Sequence, residues 1–340
     1  MKQKLSNFSL LTMAFILLTV CFLITPANAG VIKLSYANFP PAPTFPCVQM
    51  EYWKTEVEKR TKGKVLINTY PGGTLLGAKN MMDGVIAGQA DIGNLCMAYQ
   101  PGRFVVTNAT SLPLGISSAR AGSMILLDIF NKYQPRAFAK VKVLAVFTTA
   151  PSNIMSKKAV RNFQDIKGMD LRASGGAAQI LKAWGANQIG MPMSATPEAL
   201  QKGVVQGVFS SLEVMKDLKF AEICKSVTLT NTAIYPFAVV MNLERWNSLP
   251  KDVQKIMEDL IEEQTKWTGN YMDNHVKEAI SWSKKTNQVE FIELSNQQQI
   301  LWNKKLEPMI QKWIEKANAK GFSGQEIVND IQNLIKKYGG

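Results

Sequence analysis

The chain has 340 residues, of which 46% are hydrophobic and 19% are charged, and its formal net charge is +13. This composition is typical of a well-packed globular protein, and the length suits two domains of ordinary size. The lysines are scattered along predicted helix faces without an arginine-rich run, which argues against nucleic-acid binding.

The first predicted element is a secretory signal peptide. A basic start, with Lys2 and Lys4, is followed by an apolar run over residues 10–24. As a helix this run would span only about 22 Å, which is too short for a bilayer. The small residues of Ala27-Asn28-Ala29 then supply a cleavage site. We expect cleavage after Ala29 and a mature protein in the periplasm.

Strand and helix patterns then alternate at short intervals, which predicts an α/β fold. Predicted strands cover residues 31–36, 64–70, 90–96 and 141–147, and predicted helices cover residues 45–62, 78–87 and 119–132. A second α/β unit begins near residue 151 and ends in a return strand within residues 232–242. We therefore expect the chain to cross between two lobes more than once.

The longest predicted helix begins at Ser248-Leu249-Pro250 and continues to Lys284, with apolar residues at three- to four-residue steps. Its length of about 50 Å is enough to brace two domains. Two further helices, over residues 295–321 and 323–338, close the chain. The predicted division is lobe I from residues 31–150 plus 236–270, lobe II from residues 151–235 plus 271–325, and a C-terminal helix over residues 326–340.

One stretch predicts an anion site. Residues 169–173 form a predicted strand that carries Arg172 near its carboxyl end, and Ser174-Gly175-Gly176 is a turn that can cap the following helix, residues 177–184. Ligands bind at the carboxyl ends of strands in open α/β sheets, and both a guanidinium and a helix N-terminus favour a carboxylate. The alternative is a surface arginine beside an ordinary turn.

Motifs for catalysis and for cofactors are missing from the sequence. There is no dinucleotide fingerprint, no phosphate-binding loop and no Gly-x-Ser-x-Gly elbow. After cleavage Cys47, Cys96 and Cys224 remain, an odd number at wide spacing that predicts buried free thiols or a single bridge. His275 is the only histidine, so neither a histidine-rich metal site nor a histidine-based triad is expected. We predict no enzyme, no cofactor and no metal site.

Several segments, in order and spacing, resemble the extracytoplasmic solute-binding subunit of a tripartite ATP-independent periplasmic (TRAP) transporter, of the dicarboxylate-binding-protein (DctP) type. They include Ser-Tyr-Ala-Asn-Phe-Pro-Pro at residues 35–41, Gly-Gln-Ala-Asp-Ile-Gly at 88–93, Tyr-Gln-Pro-Gly-Arg-Phe at 99–104 and Asp-Ile-Lys-Gly-Met-Asp-Leu-Arg at 165–172. Residues 53–77, 197–207 and 241–250 add further matches.

This resemblance implies a two-lobed periplasmic-binding-protein fold of the type II-like class, with an interdomain cleft and a long bracing helix. It implies that Arg172 forms a salt bridge with the carboxylate of an organic acid, and that residues 206–213 line the cleft. The chain departs from the family pattern there, since many relatives carry Asp-Gly where Gln206-Gly207 stands. The implied partners are a small and a large membrane permease subunit, and we expect a monomer that does not bind nucleic acid.

Other candidate ligand-binding residues follow predicted strands or belong to the cleft segment: Asn38, Phe39, Tyr99, Asn153, Phe209, Ser210 and Phe237. Packing in the core is the alternative role for the aromatic residues, and a turn role is the alternative for Asn153. An aromatic lining with few cations predicts a monocarboxylate with an apolar or aromatic body. A C4-dicarboxylate, another keto or hydroxy acid, or delivery of the ligand to a periplasmic sensor are the alternatives.

Overall fold

The computed structural model describes residues 30–339. The predicted signal peptide, residues 1–29, lies outside the described residues, so its cleavage after Ala29 stays a prediction. No helix in the described range is both long enough and apolar enough to span a membrane.

Eleven strands are described: β1 Ile32–Asn38, β2 Val65–Tyr70, β3 Ile92–Cys96, β4 Val141–Thr148, β5 Ser152–Ser156, β6 Asp170–Arg172, β7 Asn187–Ile189, β8 Gly207–Ser210, β9 Ser226–Thr232, β10 Pro236–Asn242 and β11 Glu290–Glu293. The helices are α1 Phe45–Arg60, α2 Met81–Ile86, α3 Ala119–Tyr133, α4 Phe163–Ile166, α5 Gly175–Trp184, α6 Thr196–Gln201, α7 Val214–Asp217, α8 Leu243–Asn247, α9 Lys251–Asn287, α10 Asn296–Lys304, α11 Glu307–Asn318 and α12 Gly324–Tyr338.

The strands form two sheets, and each sheet is the centre of one lobe. The first sheet has the order β2-β1-β3-β10-β4, and the second has the order β11-β9-β5-β8-β6-β7. β1 pairs in parallel with β2 and β3, because α1 and α2 supply the crossover connections that parallel neighbours need. β10 returns antiparallel between β3 and β4. The fold is therefore the two-lobed α/β fold predicted from the sequence, while the residue boundaries of the lobes stay a prediction.

Three segments connect the sheets, and two of them are adjacent. The chain leaves the first sheet after β4, returns between β9 and β10, and passes from β10 to β11 of the second sheet through α9. The amide N–H of Thr149 donates to the carbonyl of Tyr235 at 3.0 Å, and that of Ser152 donates to the carbonyl of Ala233 at 2.9 Å. The paired segments leave a narrow connection about which the lobes can move, as in hinge-type domain closure.

Helix α9 contacts both lobes. It has 37 residues, about 55 Å at the usual rise, and packs on α3 and β4 of the first lobe and on α7 of the second. Gly269 allows its close approach to α3, since a Cβ at this position would lie 2.6 Å from Arg120 Cα. The Asp273 carboxylate accepts hydrogen bonds from the amides of Ala119 and Arg120, at 2.8 Å and 3.0 Å, and so caps α3.

The elements differ from the sequence predictions mainly in the second half of the chain. The single helix predicted over residues 295–321 is wrong, because it is two helices, α10 and α11, with Pro308 in the first turn of α11. β7, β9 and β11 were not predicted. Arg103 forms an ion pair with Asp83 at 2.6 Å.

Candidate ligand-binding site

A cavity lined by residues of both lobes lies between them. The first lobe contributes Phe39, Phe45 and Tyr99 to its wall, and the second contributes Arg172 and Glu213. Further lining residues are Pro40, Thr44, Pro46, Cys96, Thr149, Met193, Ser210, Val214, Asp217, Leu218, Tyr235 and Phe237. Apolar and aromatic groups therefore surround a few polar side chains, which is the usual composition of a small-molecule site.

Arg172 is the cation of this lining. Its side chain is only 1% exposed, and its Nε and Nη2 donate to the carbonyl of Met191 at 3.0 Å and 2.8 Å. Within residues 30–339 the arginines that form salt bridges are Arg60, Arg103, Arg161 and Arg245. The charge of Arg172 therefore has no carboxylate partner in the described part of the protein, and no hydrogen bond there involves its Nη1.

Local structure explains this position. Arg172 ends β6, and α5 begins three residues later, so the guanidinium and the helix N-terminus lie at the same edge of the sheet. The sequence predicted that the turn at Ser174 caps α5. Ser174 is the N-cap residue of this helix, but its hydroxyl accepts no hydrogen bond from the first turn. It donates instead to the Met191 carbonyl at 3.1 Å, so this carbonyl anchors both Arg172 and Ser174.

Two tyrosines connect the lobes around the arginine. The Tyr99 hydroxyl, from the first lobe, accepts a hydrogen bond from the Met193 amide of the second lobe at 3.0 Å and lies 3.5 Å from Arg172 Nη2. Burial raises the pKa of Tyr99 to about 12, so its hydroxyl stays neutral. The Tyr235 hydroxyl donates to the carbonyl of Phe209 at 3.2 Å.

Aromatic rings form the wall contributed by the first lobe. The rings of Phe39 and Phe237 are stacked with centroids 6.3 Å apart, and Phe45 meets Phe237 edge-on at 5.6 Å. The ring of Tyr99 contacts Phe39 edge-on at 5.6 Å. These pairs fix the ring orientations and present an apolar surface to whatever occupies the cavity.

Carboxyl groups form another part of the wall. Glu213 is 3% exposed, and burial raises its pKa to about 7, with a further rise from the nearby carboxylate of Asp217. Asp217 Oδ1 lies 2.6 Å from His275 Nε2. This hydrogen bond is the main reason why the pKa of His275 is raised above its ordinary value.

Comparison with known proteins identifies the family. Residues 40–317 match the family described as bacterial extracellular solute-binding protein, family 7. The chain belongs to this family. It is a TRAP transporter solute-binding protein and not an enzyme, and it belongs in the periplasm, as the sequence predicted.

Three relatives illustrate the match. A TRAP periplasmic solute-binding protein from Desulfovibrio salexigens is 56% identical, with a TM-score of 0.83 over 92% of this chain and 98% of that one. A marine metagenome TRAP solute-binding protein specific for aromatic acids, in complex with 3-hydroxybenzoate, is 28% identical. Its TM-score is 0.87, over 92% of this chain and 100% of that one. The 2,3-diketo-L-gulonate-binding periplasmic protein YiaO of Escherichia coli is 26% identical over 227 residues, 65% of this chain and 68% of that protein.

The structure of this solute-binding protein brings five of the eight predicted ligand-binding residues to one cavity: Arg172, Phe39, Tyr99, Ser210 and Phe237. It does not place the other three in the lining.

Asn38, Asn153 and Phe209 have structural partners instead. Asn38 donates to the carbonyl of Pro46 at 2.9 Å. Asn153 Oδ1 accepts from the amides of Thr230 and Asn231, at 2.8 Å and 2.9 Å, where β5 and β9 shift register. The Phe209 ring is fully buried against Trp184, with centroids 5.5 Å apart. Each side chain is therefore held by its structural partners and is not among the residues that line the cavity.

Sequence reasoning missed Tyr235, Glu213 and Asp217. Tyr235 lies near the start of the predicted return strand, directly before Pro236, so its place at the lobe crossing was a usable signal. Glu213 ends the segment that the family resemblance placed in the cleft, but an isolated acidic residue carries no pattern. Asp217 acquires significance only through its contact with His275, 58 positions further along the chain.

The three cysteines at positions 47, 96 and 224 are free and buried, the first of the two predicted alternatives. Burial raises the pKa of the Cys96 thiol, which lines the cavity, to about 12, so it is not a thiolate. Within the described range no three His, Cys, Asp or Glu side chains are arranged to hold a metal ion.

Proposed function

We propose that the protein captures an organic monocarboxylate with an apolar or aromatic body and delivers it to the TRAP membrane subunits. One observation carries the proposal: Arg172 is a buried cation without a carboxylate partner among the described residues, in a cavity walled by aromatic rings. A buried charge is costly unless it is paired. The ligand's carboxylate would supply the missing negative charge, with bidentate geometry available from the guanidinium.

The charges of the lining favour one carboxylate over two. Arg172 is the only arginine or lysine among the lining residues, whereas Glu213 and Asp217 are acidic. The second carboxylate of a C4-dicarboxylate would therefore meet carboxyl groups of the same sign. Like charges at short distance disfavour binding, so succinate and malate are the weaker candidates.

Relatives support the same ligand class. The marine metagenome protein binds 3-hydroxybenzoate, an aromatic monocarboxylate. The ligand-binding site of the Desulfovibrio salexigens protein holds the C-terminus of a symmetry mate, and a chain terminus ends in a carboxylate. The Bacillus subtilis C4-dicarboxylate-binding protein DctB, 23% identical over 299 residues, represents the competing class.

Binding would couple to lobe closure. In this proposal lobe I comprises residues 31–150 plus 236–270, lobe II comprises residues 151–235 plus 271–325, and the paired segments near Thr149 and Tyr235 act as the hinge. A ligand that touches both lobes binds only the closed form tightly, so it shifts the population towards closure. The membrane subunits could then recognise the loaded form by its shape.

The test is isothermal titration calorimetry of phenylacetate, benzoate, phenylpyruvate, succinate and malate against wild type, Arg172→Met and Arg161→Met. Arg161 is a matched control, since it forms a solvent-exposed pair with Glu290. We expect the aromatic acids to bind wild type and Arg161→Met alike, and to bind Arg172→Met about 100-fold or more weakly, as for loss of one partner of a buried pair. Binding of succinate or malate alone would overturn the proposed ligand class, and unchanged binding by Arg172→Met would overturn the role of the arginine.

A further inference from the structure

Glu213 is a buried carboxyl group that lines the cavity and leaves one of its oxygens without a hydrogen-bond partner. It begins the turn that leads into α7 and is 3% exposed. Its Oε2 is shielded from solvent and has no partner among the described residues. The nearby Ser211 hydroxyl lowers the pKa of the carboxyl group, but this hydroxyl is itself buried without a well-aligned partner. A buried acceptor left without a donor is destabilising, so native proteins usually satisfy such atoms.

Asp217 presents a second unpaired oxygen on the same wall. Its Oδ1 is held by His275 Nε2 at 2.6 Å, but its Oδ2 is shielded and has no partner. The ring of His275 is fixed in turn by stacking on Tyr271, with centroids 5.4 Å apart. Asp217 is therefore oriented by α9, and it lines the same cavity as Glu213.

These acceptors are separate from the guanidinium. Neither carboxyl group forms a salt bridge with Arg172, although all three side chains line one cavity. What the acceptors lack is a hydrogen-bond donor.

We propose that Glu213 and Asp217 form a donor subsite, which binds a hydroxyl or ammonium group of the ligand at a distance from the carboxylate held by Arg172. This inference rests on the proposed function and makes it more specific. The substrate class is then an aromatic or apolar monocarboxylate that carries a hydrogen-bond donor on its body. The aromatic wall of Phe39, Phe45 and Phe237 would contact the part of the ligand between its two polar ends.

The subsite also explains how the protein would reject closely similar acids. A site built to pair buried polar groups disfavours an analogue without the matching group, because the protein's acceptors are then left unpaired. A fluoro analogue has nearly the size of the hydroxy acid but no donor. The ratio of the dissociation constants of the fluoro and hydroxy acids is therefore a direct measure of the hydrogen bond.

The experiment compares the dissociation constants of phenylacetate, of 3- and 4-hydroxyphenylacetate, and of their 3- and 4-fluoro counterparts. An ammonium arm uses 4-(aminomethyl)phenylacetate. Wild type should bind at least one hydroxyphenylacetate about tenfold more tightly than the matching fluorophenylacetate, or should bind 4-(aminomethyl)phenylacetate about tenfold more tightly than phenylacetate. The arm with the larger preference tells whether the subsite takes a neutral hydroxyl or a cation.

The variants are Glu213→Leu and Glu213→Gln, with Glu222→Gln as an exposed control from the same region. We expect the donor preference to fall to about one in Glu213→Leu, to be intermediate in Glu213→Gln, and to be unchanged in the control. Glutamine keeps the volume and one acceptor, so it tests the subsite even if leucine impairs folding. Thermal melts of each variant check that the fold is intact.

The outcomes separate the subsite from the proposed function. If the acids bind through Arg172 but the donor preference is absent, or persists in both Glu213 variants, the subsite is wrong and the proposed function stands. If none of these acids binds wild type, the proposed function fails, and the subsite fails with it.

Discussion

At the scale of single residues, the state of Arg172 explains why the protein should need a ligand to stay closed. The guanidinium is removed from water by the second lobe and by Tyr99, yet its hydrogen-bond acceptors within residues 30–339 are all neutral oxygens. Neutral acceptors compensate a buried charge only in part. A bound carboxylate would complete the compensation, so ligand binding and closure are coupled through one side chain.

Tyr99→Phe should weaken ligand binding about tenfold, because the variant leaves the Met193 amide without its acceptor in the closed form. The open form loses nothing, so the thermal stability of the unliganded protein should change little. Calorimetric titration measures the loss, and Tyr70→Phe, at an exposed position on β2, is the control. Equal affinities for Tyr99→Phe and wild type would show that the interlobe hydrogen bond does not contribute.

Glu213 predicts a pH dependence of stability. Its pKa is about 7 in the folded protein and about 4.3 in an unfolded chain. As pH rises from about 4 to 7, the unfolded chain loses this proton first, so the free energy of unfolding falls by up to about 3 kcal/mol. The raised pKa of His275 acts in the same direction, since its stabilising contribution is lost as pH rises through its folded value.

Glu213→Gln should therefore flatten this profile and make the unliganded protein more stable at pH 8 than wild type. Urea unfolding at pH 5, 6.5 and 8 measures the effect, with Glu222→Gln as the control. The same slope in wild type and Glu213→Gln would show that the carboxyl group is not buried in solution.

Residues that could be predicted from the sequence differ physically from those that could not. Arg172 was predictable because strand, turn and helix lie within about a dozen neighbouring residues and local rules describe them. Glu213 and Asp217 matter through contacts made by α9, and Asn153 is held by a register shift between strands. Such long-range contacts leave no local pattern in the sequence.

At the scale of elements, length and periodicity decided which predictions succeeded. The long helix α9 was predicted to within three residues of its C-terminal end, because a sustained apolar period is a strong signal. β7 and β11 have three and four residues, and their polar compositions show no alternation. The break between α10 and α11 at Lys305 and Leu306 also has no glycine, so the pattern appeared continuous.

Gly269→Ala tests the packing of α9 on α3. In a free helix alanine is favoured over glycine by about 1 kcal/mol. Here the new Cβ would lie 2.6 Å from Arg120 Cα and 3.1 Å from the Ala119 carbonyl oxygen, and backbone atoms cannot move away cheaply. We expect a loss of about 1–3 kcal/mol in urea unfolding, as for overpacking in other cores.

The matched control is Ser281→Ala, at an exposed position on the same helix, which should be neutral or slightly stabilising. If Gly269→Ala were stabilising as well, the two helices would be further apart in solution than in the structure.

At the scale of the whole molecule, closure depends on a close contact between the lobes. Gly175, at the start of α5, has φ +57°, and a Cβ there would lie 2.8 Å from the Ala98 carbonyl oxygen of the first lobe. Gly175→Ala should therefore hinder closure and weaken ligand binding by about tenfold or more. Small-angle X-ray scattering should show a smaller ligand-induced decrease in the radius of gyration than for wild type.

Gly168→Ala separates this effect from backbone strain. Gly168 has φ +72°, but a Cβ at this position would meet nothing within 4 Å. The control should lose stability through its positive φ, with ligand affinity unchanged. A similar loss of affinity in both variants would mean that strain, and not the contact with Ala98, limits binding.

The buried thiols have a consequence for how the protein is made. Cys47, Cys96 and Cys224 are buried in the packed interior, and none of the three is cross-linked. The native state therefore requires no oxidation step and no disulfide isomerase, unlike many exported proteins. We expect mature chains produced in a reducing cytoplasm and chains matured after secretion to fold to the same protein.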